Sequence, residues 1–206
     1  ASEGRALTTQ PKVFGIGFQK TGTTTLKFAL YALGYEVKGG GFELVPELRK
    51  GNLRPAFDVV DAFDAFEDHP WPNLFKELDA YAPGAKFVLT VRDEESWIKS
   101  VVNHFGFVPD VMQKYTYGVG FPAGYEDVFL DRYRAHNAEV RAYFADRPGD
   151  LLELNLFEDA SWDALCDFLG KEIPKDPIPH HNKGSYGKGK EVLRAAAGAL
   201  IRSVRR

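Results

Sequence analysis

The sequence predicts an α/β fold in three layers, a central, mostly parallel sheet flanked by helices. Short apolar runs, each closed by glycine or a charged residue, alternate with segments of helical spacing. Such alternation implies crossover units, and crossover units imply parallel strands with helices on both faces. In addition, the first apolar run closes on a glycine-rich loop that opens a helix, the setting in which helix N-terminal amides attract an anion.

The elements follow in order. "KVFGIGF" at residues 12–18 is the first strand. "TTTLKFALYAL" places Leu26, Ala29, Leu30 and Leu33 on one helical face, and Gly34 ends that helix. "YEVKGG" is a short strand and "FELVPELRKG" a short helix. "FDVVDAF" at 57–63 reads as a strand, and "NLFKELDAYAPG" as a helix ending at Pro83-Gly84. "KFVLTVR" at 86–92 is the clearest strand, and "DEESWIKSVVNHF" is a helix with acidic residues in its first turn. "NHFGFVPDVMQKYTYGVGFPAGY" at 103–125 has no clear period and reads as a lid or substrate loop. "YEDVFLDRYRAHNAEVRAYFAD" is a longer helix, "DLLELNL" a strand and "SWDALCDFLG" a capped helix. No repeat or linker appears, so residues 1–206 are expected to form one domain, with residues 1–11 a loose segment and 188–206 a basic helix.

Composition narrows the class. Hydrophobic residues at 44% and charged residues at 27% match an ordinary globular protein. A net charge of -3 gives no general pull toward nucleic acid. The single Cys166 excludes an intrachain disulfide and a cysteine zinc cluster. No apolar run reaches the ~18 residues that span a bilayer, and "ASEGRALTTQPK" lacks an apolar signal core. The expectation is a soluble, cytoplasmic protein.

The loop "GIGFQKTGTTTL" at 15–26 carries the chemistry. Gly17, Gly22 and Thr24 match the spacing G-x-x-x-x-G-K-[ST], but Thr23 stands at the lysine position and the lysine has moved to Lys20. Kinase loops set that lysine on the terminal phosphates and the hydroxyl on magnesium. A sulfuryl group carries less charge than a phosphoryl group, so the demand for a metal is weaker. Lys20 would then reach the bridging oxygen, with Thr21, Thr23 and Thr24 on the phosphate oxygens.

"QKTGTTTL" resembles the 5'-phosphosulfate loop of the sulfotransferases, commonly P-K-[ST]-G-T-[ST]. "VRDEESWIKS" resembles their second motif, an arginine ending a strand and a serine eight positions later; these are Arg92 and Ser100. "NKGSYGKGK" matches K-G-x-x-G of a third motif at Lys183, Gly184 and Gly187, with Asn182 where arginine is usual. The resemblance implies the P-loop NTPase-like sulfotransferase fold of a compact branch. It also implies 3'-phosphoadenosine 5'-phosphosulfate (PAPS) as sulfuryl donor, released as PAP, with no metal required. Lys20, Thr21, Gly22, Thr23, Thr24 and Thr25 would hold the 5' side, and Arg92, Ser100, Lys183 and Gly184 the 3'-phosphate.

The family's base is a histidine in an H-x-P context. Here "AFEDHPWPNLF" puts Asp68 at that position, aligned on Pro70, with His69 next to it. Asp68 is the first candidate base and His69 the second, while Asp61 and Glu67 are outsiders. Trp71 and Phe75, with the 103–125 segment, suggest an aromatic wall for a small-molecule, sugar or lipid acceptor. The run Asp58, Asp61, Asp64, Glu67 and Asp68 suggests a cationic acceptor. The arginines of "KEVLRAAAGALIRSVRR" leave membrane contact as an alternative to packing on the domain. Two other functions stay open: a small-molecule kinase with a variant loop, whose nearest magnesium-binding strand is "FDVVD", and a non-catalytic nucleotide-binding protein.

Overall fold

The computed structural model describes residues 10–178. The N-terminal segment expected to be loose (up to residue 9), Lys183 and Gly184, and the expected basic C-terminal helix lie outside them.

Five strands form the sheet: β1 (Val13–Gly15), β2 (Val37–Lys38), β3 (Ala65–Phe66), β4 (Lys86–Thr90) and β5 (Leu151–Leu154). Their spatial order is β2-β3-β1-β4-β5, and each pairing is parallel. Among the described residues there are seven α-helices in the connections, α1 (Thr23–Ala32), α2 (Val45–Leu48), α3 (Arg54–Ala62), α4 (Phe75–Tyr81), α5 (Glu94–Phe105), α6 (Val111–Tyr117) and α7 (Glu126–Tyr143), and α8 (Asp163–Leu169) follows β5. The three-layer α/β expectation holds.

The register splits the core by period two. Phe14 aligns with Phe66 on β3 and Phe87 on β4, and these rings stack at 4.9 and 5.4 Å. They belong to one face, covered by Trp71, Phe75, Val140 and Phe144. Val13, Ala65 and Val88 belong to the other, covered by Leu26, Ala29, Leu30 and Leu165. A third cluster of Phe18, Trp97, Val101, Tyr117, Phe129 and Tyr133 joins the stretch after β1 to α5, α6 and α7. Because all five strands are parallel, their carboxyl ends share one edge, where sheets of this kind bind ligands. The 15–22 loop, residues 67–69 and Arg92 all leave the sheet at that edge.

Two expectations are corrected. Residues 57–62 are helical, not a strand. Only Ala56 and Val60, one turn apart, are buried in α3, and Arg54 pairs with Asp58 at 2.7 Å along its outer face. The strand is β3 itself, two buried residues between β1 and β2, too short to show a period. The 103–125 segment is not loop throughout. It contains α6, capped by Asp110, whose carboxylate accepts the Gln113 N–H at 2.9 Å, and ended by Gly118 at φ 76°.

Candidate active site

The loop after β1 is anchored to β4. Ile16 N–H donates to Val88 O at 2.8 Å. Gly17 presses so closely on β4 that a Cβ there would lie 2.0 Å from Thr90 Oγ1 and 2.3 Å from Thr90 O. The chain then turns through Lys20 at φ 67° and Gly22 at φ 102°, both left-handed, into α1. No side chain caps α1 and its first turn holds no acid, whereas α5 has Asp93 as cap and Glu94 and Glu95 behind it. An uncapped, acid-free N-terminus behind a lysine-bearing loop fits a phosphate group.

The threonines divide. Thr24 is half-buried at the start of α1, and Thr25 is buried. Thr23 hydrogen-bonds the Glu67 carboxyl. Thr21 is a correction: it is fully buried, its hydroxyl donating to Phe18 O (2.5 Å) and meeting Thr90 Oγ1 (2.7 Å). That side chain braces the loop from beneath and does not present its hydroxyl to a ligand.

Arg92 lies two residues past β4 and leans over the loop. Its guanidinium stacks on Phe157 with Cζ 4.1 Å from the ring centre, and its Nη1 lies 3.4 Å from Lys20 O. Its backbone is pinned by the Tyr133 hydroxyl, which accepts from Arg92 N and donates to Arg92 O, both at 2.9 Å. Tyr133 stacks on Trp97, whose Nε1–H donates to Gln19 O at 2.9 Å. These contacts tie the loop and the strand end to α5 and α7. Glu95 pairs with Lys99 at 2.6 Å. Ser100 is half-buried two turns into α5.

Beyond β3 come Glu67, Asp68 and His69. Glu67 is buried, 3.7 Å from Lys27 Nζ on α1. Burial, then the charge of Asp68, push its carboxyl up to about 8 against the pull of Lys27 and Thr23. Asp68 sits at φ 67° with its carboxylate accepting the His69 N–H at 2.8 Å. Burial raises its carboxyl above the usual range, while that hydrogen bond and the ammoniums of Lys27 and Lys20 pull it back. His69 Nε2 lies 2.5 Å from Gln19 Oε1, and its Nδ1 faces the Thr116 hydroxyl at 3.5 Å. Burial brings His69 down to about 3, so at neutral pH it is an uncharged ring. Gln19 completes the chain by donating from Nε2 to the Tyr117 hydroxyl at 2.7 Å.

These groups floor a cleft that encloses about 50 Å³ and opens to solvent. Gln19, Asp68 and His69 line it together with Met112, Gln113, Thr116 and Tyr117 of α6 and with Phe42, Phe105 and Asp110. The 103–125 segment does line the cleft, through Phe105 and α6, but the two other rings expected there do not. Trp71 is fully buried with Nε1–H on Gly39 O (3.0 Å), and Phe75 packs in the main core. The acidic run is dispersed as well. Asp58 and Asp61 are on the outer face of α3, Asp64 accepts Glu36 N–H at 3.2 Å, and only Asp68 reaches the cleft. Sequence reasoning passed over Gln19, although it directly precedes Lys20, and ranked Glu67 only as an outside candidate for the base. Phe42 carried no signal, since only the tertiary fold brings it to the cleft.

Among the described residues no helix is long and apolar enough to cross a membrane, and no cluster of His, Cys, Asp and Glu is arranged to hold a metal ion. Comparison with known proteins agrees with the loop geometry. A family described as "Sulfotransferase domain" matches residues 12–122 and 105–186. The Ava biosynthesis cluster protein M of Aspergillus versicolor is 24% identical over 211 residues, covering 82% of this chain and 80% of that protein. The matched span takes in the anchored loop, the Arg92 strand end and the cleft alike, and the chain belongs to the sulfotransferase domain family.

Proposed function

We propose that the protein transfers a sulfuryl group from PAPS to a hydroxyl or amine of a small acceptor by in-line displacement, releasing PAP. One observation carries the reading: the Asp68 carboxylate lines the apolar cleft and also feels the charge of Lys20. The proton acceptor in the cleft is thus within electrostatic reach of the lysine of the neighbouring loop, which supports displacement between two substrates held side by side.

PAPS supplies an activated sulfuryl group. Asp68 takes the proton of the acceptor as its oxygen or nitrogen bonds to sulfur. Lys20 neutralises the electron pair that departs onto the phosphate oxygen when the old S–O bond breaks. Arg92, already set over the loop, and Ser100 hold the 3'-phosphate; the α1 N-terminus with Gly22 to Thr25 holds the 5' side. His69 donates its backbone N–H to the Asp68 carboxylate, which fixes the Asp68 turn, while its Nε2 is engaged by Gln19 Oε1.

A magnesium-dependent kinase is the competing reading. Its metal carboxylate was sought in "FDVVD", and that segment is α3. The carboxylate beside the loop is instead Glu67, which has Lys27 as partner and is held largely protonated. Titration calorimetry separates the readings. PAP should bind in metal-free buffer, and ATP with magnesium should bind more weakly. Preference for ATP with magnesium overturns the proposal.

A further inference from the structure

The donor loop carries an unfavourable backbone conformation at its working residue. Lys20 sits at φ 67°, in the left-handed region that a residue with a Cβ disfavours. Such a conformation persists only where the surroundings hold it. Three carbonyls of the turn are held: Phe18 O accepts from the Thr21 hydroxyl at 2.5 Å, Gln19 O accepts from Trp97 Nε1–H at 2.9 Å, and Lys20 O faces Arg92 Nη1 at 3.4 Å. The Gln19 side chain adds a hold of another kind, because it ties the turn sideways to the cleft. It is 6% exposed and gripped from two directions. Its Nε2 donates to the Tyr117 hydroxyl at 2.7 Å, that hydroxyl lies 3.0 Å from Gln19 Oε1, and His69 Nε2 lies 2.5 Å from the same oxygen.

We infer that Gln19 is a positioning residue for Lys20: its amide, clamped between His69 and Tyr117, sets the lysine turn of the donor loop against the acceptor cleft. This rests on the sulfotransfer reading for the role of Lys20. Both jaws of the clamp are themselves fixed. Tyr117 belongs to α6 and stacks on Phe129 of α7 with ring centres 3.8 Å apart. His69 tilts against Phe18 at 4.9 Å, and its Nδ1 lies 3.5 Å from the Thr116 hydroxyl, which accepts from Asn73 Nδ2 at 2.9 Å. An amide suits the place between them because it donates and accepts at once. Gln19, His69 and Tyr117 line the cleft beside Asp68, so the base and the residue before the lysine share one frame. A lysine side chain is flexible, and fixing its backbone is how such a frame limits where the ammonium can go.

The test joins turnover to amide exchange on the whole protein. Release of PAP from PAPS is followed across a panel of phenols, alcohols and amines as acceptors. Gln19→Leu keeps the bulk and loses the amide. It should lower turnover at saturating donor about tenfold or more and leave PAP affinity within about threefold, as a fault met only in the transition state does. In a Lys20→Ala background the same change should cost less than about twofold further, because the residue it positions is gone. Tyr117→Phe keeps the ring packing and opens one jaw, so it should fall between wild type and Gln19→Leu. His69→Asn, which leaves Tyr117 in place, should be the mildest. Hydrogen exchange at residues 18–22 should quicken about tenfold in Gln19→Leu and Tyr117→Phe, with the amides of β1 and β4 unchanged. An equal loss of turnover with and without Lys20 would mean a merely structural role and overturn the inference. Unchanged exchange in both variants, or faster exchange with unchanged turnover, overturns it as well. Tyr117→Phe carries the same comparisons if Gln19→Leu fails to fold. No PAP release by the wild type with any acceptor refutes the transfer reading alone, and the exchange comparison then decides the clamp.

Discussion

Gly17→Ala should damage the protein at its hinge between fold and site. An added Cβ would sit 2.0 Å from Thr90 Oγ1, 2.3 Å from Thr90 O and 2.7 Å from Thr90 N. Two of the three contacts are backbone, so no rotamer change relieves them. Van der Waals contact needs another ångström or more, which can come only by moving the loop off β4. That movement breaks the Ile16–Val88 hydrogen bond and the Thr21–Thr90 hydroxyl pair. Two such bonds at about 0.5–1.5 kcal/mol each, with about 1–3 kcal/mol for overpacking, give a loss of about 2–6 kcal/mol. For a chain of this size that is on the order of 10 °C in melting temperature. Calorimetric melting measures it directly, and a PAP titration should show donor affinity falling in parallel. Thr90→Ala should not rescue the variant, because it removes the 2.0 Å contact and leaves the carbonyl. A Gly17→Ala protein that melts within 2 °C of wild type (roughly a 0.5–1 kcal/mol change) and binds PAP normally would refute the argument.

Other perturbations test the chemistry. Lys20→Ala should lower turnover about a hundredfold at saturating donor while weakening PAP much less, since its contact grows as charge develops; steady-state kinetics with a donor titration read both. Arg92→Ala should weaken PAP by roughly tenfold to a hundredfold and leave adenosine 5'-phosphosulfate, which lacks the 3'-phosphate, nearly unchanged; equal weakening would move Arg92 elsewhere. Asp68→Asn should cut turnover by about 10²–10⁴-fold with donor affinity kept, whereas His69→Asn should be mild in turnover; the reverse ranking hands the base to His69. The acid limb of the wild-type rate profile should lie above the usual carboxylate range, since burial raises Asp68. Glu67 is protonated in the folded state up to about 8 but only to its ordinary 4.5 when unfolded. The folded state therefore holds the extra proton, and wild-type stability from this group falls as pH rises through that window. Denaturation profiles of Glu67→Gln should lose that decline, the variant gaining on wild type by at most about 5 kcal/mol; parallel profiles would sink the assignment.

The layers, the glycine-rich loop after β1 and the Arg92 strand end are legible in the string alone. Those features are local. Leu26, Ala29, Leu30 and Leu33 announce α1 through side-chain spacing alone, and "KFVLTVR" is a buried strand long enough to read. Glycines marked the loop, and the structure gives Gly17 its physical reason, close approach to the Thr90 backbone. Tertiary structure decided the rest. β3 has two residues, and its identity comes from pairing with β1 and β2, which no local pattern encodes. "FDVVD" is a short run with two β-branched residues that reads as a strand, and burial of Ala56 with Val60 settles it as a helix. The direction of a short side chain was equally illegible. Thr21 and Thr24 look alike in the string, yet one is fully buried against Thr90 and the other stands half-buried at the helix start. The cleft joins Gln19, Asp68 and Gln113 across nearly a hundred positions, and the carboxyl edge of a parallel sheet is what brings them together.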